Sequence, residues 1–198
     1  MVMEKRPFKE TLKGPWLELR IPKATLGHAQ EMLVLLERND WFYPRRLTLR
    51  NYRTAEDCLA LLDRRVQAIN AMTDIYYDIY ARGEYIGEIY ARDIDYDFNA
   101  AKNIGYFIDK EFQNRGYASE AVSTLEEELF EMGVHRVCLF VHFFSEDELN
   151  LASEGVAKKC GYKFEGTARD AIYDKFSGRY ASEHMFSKLS TERGKPRS

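Results

Sequence analysis

Six consecutive residues, Gln113-Asn114-Arg115-Gly116-Tyr117-Ala118, stand where an apolar run hands over to a helical pattern. That position has a chemistry of its own. The first turn of a helix holds backbone N–H groups without partners and the positive end of the macrodipole, so it attracts phosphate-like anions. Gly116 carries no side chain to block a close approach. Ala118 is small, and Arg115 adds a fork of charged donors. An ordinary strand-to-helix turn closed by a glycine has the same composition, so these residues alone leave both readings open.

The elements around the loop must position it. Residues 104–108 read as a short apolar strand and 109–116 as a tight loop. From Tyr117 a helix carries Ala118, Ala121, Val122, Leu125, Leu129 and Met132 at helical spacing. Its other face, with Glu120, Glu126, Glu127, Glu128 and Glu131, is expected to be a solvated acidic surface.

Upstream, residues 1–15 read as a flexible leader, 16–21 as a strand and 24–38 as a helix stopped by Asn39 and Asp40. The aromatic run Trp41-Phe42-Tyr43 before Pro44 suits a loop over the core or a substrate wall. Thr54 is placed to cap a second helix. Residues 72–81 and 85–90 form a strand pair about the turn Arg82-Gly83-Glu84. The alternation that follows puts Asp93, Asp95 and Asp97 on one face, either solvated or drawing a cationic amine toward the protein.

Downstream, 134–143 reads as an interior strand in which His135 and His142 are structural or surface residues. A helix begins at Ser145 or at Asn150 and ends at Gly161. Strands 162–166 and 180–189 follow, then a basic tail, 190–198. The pattern predicts a mixed α/β sheet with flanking helices.

Length and composition narrow the classes. With 198 residues, 45% hydrophobic and 31% charged, one domain with a real core is expected, here over residues 16–189. A net charge of −3 argues against a general nucleic-acid binder. Cys58, Cys138 and Cys160 are widely spaced and lack metal-ligand spacing, which suits free thiols in a reducing compartment. No signal peptide or apolar run of membrane-spanning length is evident, so a cytoplasmic protein is expected. A homodimer is left open.

Gln113, Gly116 and Ala118 fill the Q/R-x-x-G-x-G/A pattern, and the sequence here resembles the GNAT superfamily of acyl-CoA-dependent N-acetyltransferases. A second block, Asn150-Leu151-Ala152-Ser153 followed by Lys159-Cys160-Gly161-Tyr162-Lys163-Phe164-Glu165-Gly166, resembles the branch containing the RimJ and RimL ribosomal-protein N-terminal acetyltransferases. Together the resemblance covers about residues 84–189, and 1–83 match weakly. It implies a mostly antiparallel sheet whose splayed central strands form an acetyl-CoA cleft.

The resemblance also implies roles. Residues 113–118 would cradle the pyrophosphate. The backbone of Phe107, Ile108 and Asp109 would pair with the pantetheine arm and polarise the thioester. Ser153 is a candidate to protonate the departing thiolate, and Asn150 to hold the pantetheine or the strand end. Both residues also suit ordinary helix-start chemistry. Branch members often carry Glu at the position of Asn103, which cannot act as a base. Glu88, a water chain or a partly neutral amine would then deprotonate the acceptor, and Glu88 could equally be a charged residue on an outer face. Ser182 likewise stands where the branch often has Asp. The implied activity is acetyl transfer to a primary amine, either a protein N-terminus or a small molecule. The alternative is an acyl-CoA-binding regulatory module without turnover.

Overall fold

The computed structural model describes residues 3, 5–39, 52–175 and 177–193. Its strands are β1 (Thr11–Lys13), β2 (Leu17–Arg20), β3 (Ile75–Ala81), β4 (Glu84–Asp95), β5 (Ala100–Ile108), β6 (Arg136–Phe143), β7 (Lys163–Asp174) and β8 (Arg179–Leu189). Its helices are α1 (Leu26–Arg38), α2 (Ala55–Asn70), α3 (Tyr117–Glu131) and α4 (Leu151–Lys159). The strands form one sheet in the order β1-β2-β3-β4-β5-β6-β8-β7. Only β5 and β6 run parallel, so the fold is the mixed, mostly antiparallel α/β architecture expected.

Period-two alternation assigns the sheet its two faces. Ile75, Tyr77 and Ile79 of β3 and Ile89 and Ala91 of β4 join Ala121, Val122, Leu125 and Leu129 of α3 in the main core. Each fully buried Leu or Ile there contributes roughly 1.5–3 kcal/mol. The opposite parity, Asp78 and Glu88, turns toward α1 and α2, where Ala29, Met32, Leu36, Cys58 and Leu62 form a second cluster. Helix α2 starts as expected: Thr54 accepts from Asp57 N while the Asp57 carboxylate accepts from Thr54 N, a complete capping box.

Several expectations give way. The segment read as a flexible leader carries β1 and buries Phe8 and Leu12 in the main core. The solvated acidic face of α3 holds only in part: the side chains of Glu127 and Glu131 stay exposed, whereas those of Glu126 and Glu128 do not. Glu128 is buried and ion-paired with Arg6 at 2.8 Å and Lys9 at 2.7 Å. Glu126 is buried against Lys188 of β8. Carboxylates can leave solvent here because cations from neighbouring segments meet them. Asp93, Asp95 and Asp97 do not share a strand face. Asp93 has φ of 54°, and Asp95 accepts from Asp97 N and Phe98 N and pairs with Lys102, closing the turn between β4 and β5. Ser145 precedes only a short 3-10 turn, and α4 starts after Asn150. The aromatic run 41–43 lies outside the described residues.

The feature that makes a site is where the sheet comes apart. β5 and β6 pair at Ala100 with Arg136, Ala101 with Val137 and Ile104 with Leu139, and no further. Beyond Ile104 the two strands diverge, as the splayed central pair implied.

Candidate active site

The parting of β5 from β6 opens a cavity of about 470 Å³. It runs through the sheet. Ile104 and Ile108 of β5 and Leu139 and Val141 of β6 belong to the α3 core, with Tyr106 packed against it. By alternation, Asn103, Gly105, Phe140 and His142 face the α1–α2 side. Tyr90 and Arg92 of β4 share that side, since Ile89 and Ala91 are core residues. All of these line the cavity, as do Gly116, Tyr117 and Ala118 at the start of α3 and Asn150, Ser153 and Lys159 of α4. One mouth therefore meets two helices, and the other meets a polar, aromatic wall.

At the helix mouth, Gly116 is the N-cap of α3 with φ of 86°, a left-handed conformation, and no side chain caps the helix. Glu120 N donates to Gly116 O at 3.0 Å, so the N–H groups of Tyr117, Ala118 and Ser119 have no intrahelical acceptor. A Cβ on Gly116 would lie 3.7 Å from Lys159 Nζ, which places an ammonium beside this turn. Gln113, Asn114, Gly116, Tyr117 and Ala118 line the cavity, whereas Arg115 does not; its guanidinium lies over the Phe112 ring, 5.3 Å from the centroid. Gln113 contributes by shape, donating from Nε2 to Ile108 O at 2.8 Å and tying the loop to the strand.

The loop is also held from outside. Arg38 at the end of α1 pairs with the fully buried carboxylate of Asp109. Asn39 Oδ1 accepts from Lys110 N at 2.9 Å while its Nδ2 donates to Leu35 O at 2.8 Å. These contacts correct the expectation for Asp109. Its N–H donates to Ile86 O at 2.8 Å, its Oδ1 accepts from Glu111 N, and it does not line the cavity. The alternation of an antiparallel pair then turns the backbone of Phe107 toward β4 as well, and the backbone edges of Tyr106 and Ile108 toward the cleft. Of the three residues expected to offer backbone to a pantetheine arm, Ile108 has that orientation, and Tyr106 joins it.

In the middle of the cleft the Tyr106 hydroxyl lies 3.1 Å from Ser153 Oγ. Burial pushes the Tyr106 phenol up to about 12, against a smaller downward pull from the Ser153 hydrogen bond. The phenol therefore keeps its proton at neutral pH. Asn150 lines the cleft, but its Oδ1 caps α4 by accepting from Ser153 N at 3.1 Å. It serves the helix start that presents Ser153.

On the far side, the Arg92 guanidinium lies over the Tyr90 ring at 4.6 Å. The Tyr90 ring lies across Gly105, where a Cβ would meet its hydroxyl at 2.2 Å. Only glycine at 105 allows that packing. His142 of β6 stands beside Glu183 of β8, with Nε2 3.3 Å from Oε2. Burial first, and then the charge of Arg92, lower the His142 pKa, so its imidazole is neutral at pH 7. Burial raises the Glu183 carboxyl.

Glu88 is not in this wall. Arg65 Nη1 and Nη2 donate to its two oxygens at 2.7 and 3.0 Å, and both residues are buried beneath α2. The Arg65 charge is held against the cost of burial by Glu88. A carboxylate locked in a bidentate pair and lying outside the cavity lining is no base for a substrate in the cleft. Sequence spacing could not reveal this, because Arg65 lies on a different element. It also passed over Tyr106, Lys159, Tyr90, Arg92 and His142 as site residues. The opposite parity of His142 to Leu139 and Val141 was a visible signal, but only the splay exposes that parity to a cleft.

Among the described residues, no cluster of three His, Cys, Asp or Glu side chains could hold a metal ion, and no helix is long and apolar enough to cross a membrane.

Comparison with known proteins agrees with this geometry. Residues 17–163 match the acetyltransferase (GNAT) domain family, and the chain belongs to it. The fold recurs in the RimL ribosomal L7/L12 alpha-N-protein acetyltransferase in complex with coenzyme A, with a TM-score of 0.80 and 23% identity over 91% of this chain and 98% of that one. It recurs in the microcin C7 self-immunity acetyltransferase MccE in complex with acetyl-CoA and AMP, with a TM-score of 0.78 and 21% identity over 88% and 93%. A probable GNAT-family acetyltransferase from Chromobacterium violaceum gives 0.79 and 24% over 97% and 91%. A sequence comparison with curated proteins returns no match.

Proposed function

We propose that the protein transfers the acetyl group of acetyl-CoA to a primary amine. The observation that carries this reading is the cavity that crosses the sheet. An anion-accepting helix start lies at one mouth, a hydroxyl pair in the middle and a polar wall at the other mouth. Acetyl-CoA supplies an activated thioester. The N–H groups of residues 117–119, with Lys159, would hold its pyrophosphate. The cleft-facing backbone of Tyr106 and Ile108 would align its arm and offer an N–H to the thioester oxygen. Ser153, in contact with Tyr106, would give a proton to the leaving thiolate, which has a pKa of ~8.5 when free.

The acceptor enters from the α1–α2 side. Neutral His142 is the group in that wall suited to take the proton from its amine. The acceptor is a protein N-terminus or a small amine. RimL, whose fold is similar, is named for acting on a protein N-terminus. Three free thiols, two of them buried, support a cytoplasmic setting. The test is release of free CoA thiol from acetyl-CoA across a panel of amines and N-terminal peptides. No amine-dependent release, with acetyl-CoA bound, would overturn the reading in favour of a binding module.

A further inference from the structure

Among the described residues, Arg92 is a cation without a counter-ion. No described carboxylate lies within ion-pair distance of it, and its Nε is buried with no hydrogen-bond partner. Its guanidinium lies over the face of Tyr90, 4.6 Å away. Several neighbouring cations are paired with carboxylates instead. Arg65 is clasped by Glu88, Arg38 by Asp109 and Lys102 by Asp95. A half-buried guanidinium loses hydration that a ring face only partly replaces. Its fork of donors matches a carboxylate or phosphate, which a bidentate contact would satisfy.

Its placement gives the missing anion an address. Arg92 projects from β4 into the acceptor side of the cleft, whereas the pyrophosphate-binding turn lies on the α3 side. Across the splay stand His142 and Glu183, on β6 and β8. The wall thus offers a cation on one bank and, on the other, the neutral imidazole of His142, with the Glu183 carboxylate behind it outside the cavity lining. We propose that Arg92 binds an anionic group carried by the acceptor itself, so that the preferred substrates are small amines bearing a carboxylate or phosphate near the amino group. The amine then lies toward His142, and the anion toward Arg92. This inference rests on the acetyltransferase reading above and selects among its acceptors; it disfavours simple polyamines, whose charges Arg92 repels.

The experiment compares acceptors that differ only in the anion: an amino acid, its carboxamide, the corresponding amine without the carboxyl group, and an aminoalkyl phosphate. Wild-type kcat/KM is expected to be about 10-fold or more higher for an anionic acceptor than for its neutral partner, as a charge-assisted pair of hydrogen bonds provides. The carboxylate and phosphate arms distinguish the two anions. In Arg92→Gln this ratio should fall to near 1, and Arg92→Lys should restore part of it. Calorimetry with acetyl-CoA shows that each variant is folded. Equal kcat/KM for acid and amide in the wild type overturns the inference while leaving the acetyltransferase reading in place. If no amine is turned over, the binding of N-acetyl amino acid against N-acetyl amino amide, in the presence of CoA, decides the inference independently. Tighter wild-type binding of the acid that is lost in Arg92→Gln supports it, and equal binding overturns it.

Discussion

The Tyr106 hydroxyl and Ser153 Oγ lie 3.1 Å apart across the cleft, joining a strand to the first turn of α4. The pair couples the element that would align a thioester to the element that would protonate its leaving group. Ser153→Ala is expected to lower kcat about 10- to 100-fold, the low end of general-acid effects, with acetyl-CoA affinity unchanged. Tyr106→Phe should lower kcat less. The double variant should lose little beyond Ser153→Ala, because both act on one proton. Full additivity of the two losses would show that the hydroxyls act separately.

Gly116 tests the anion turn. A Cβ there meets nothing closer than Lys159 Nζ at 3.7 Å, so space is available, and the cost of a side chain is conformational. At φ of 86° that cost is about 1–2 kcal/mol. Gly116→Ala should therefore be mildly destabilised and still bind acetyl-CoA. Gly116→Asp should lose measurable binding by calorimetry, since it places a negative charge at the helix start. Unchanged affinity in folded Gly116→Asp would move the pyrophosphate elsewhere.

Glu88 is expected to matter for folding rather than for chemistry. Removing one partner of a buried, hydrogen-bonded ion pair costs about 3–5 kcal/mol. At ~2–4 °C per kcal/mol for a chain of this size, Glu88→Ala should lower the melting temperature by roughly 6–20 °C. Its kcat below the transition should stay near wild type. A large fall in kcat with the melting temperature unchanged would restore Glu88 to the reaction.

The acceptor dependence on pH should carry the signature of His142. Its pKa is lowered below 6.5 by burial and by Arg92, with Glu183 facing it from β8. The unprotonated form accepts the proton, so kcat/KM should climb as pH rises through a value below 6.5 and be free of this limb at pH 7. In His142→Gln that low-pH limb should vanish and the rate should fall. A limb set by the acceptor amine, with a pKa of ~8 for a peptide N-terminus, should persist. A low-pH limb that survives in His142→Gln would assign it to another group.

The order of the central elements was legible because their periodicities are strong. The 117–131 helix, the Thr54 cap and the interior strand before α4 all follow from spacing, and the Gly116 turn from one small residue at a helix start. What sequence could not supply was the company each charge keeps. Glu126 and Glu128 look solvated on a helical wheel, yet Lys188, Arg6 and Lys9 arrive from distant segments to bury them. Glu165 fits a motif, but it is fastened to Arg136 and Ser187 across three strands, and its carboxyl is lowered to about 2, first by Arg136. The acceptor wall was the least legible part, since Arg92 and His142 become neighbours only because two strands part.

The same parting has a kinetic consequence. An opening that passes from one face of a sheet to the other lets two reactants approach head-on, each through its own entrance. Neither has to depart before the other arrives, and no side chain has to carry the acyl group between visits. Initial-velocity lines for the two substrates should then intersect rather than run parallel, and each product should be able to leave by the door through which its parent came.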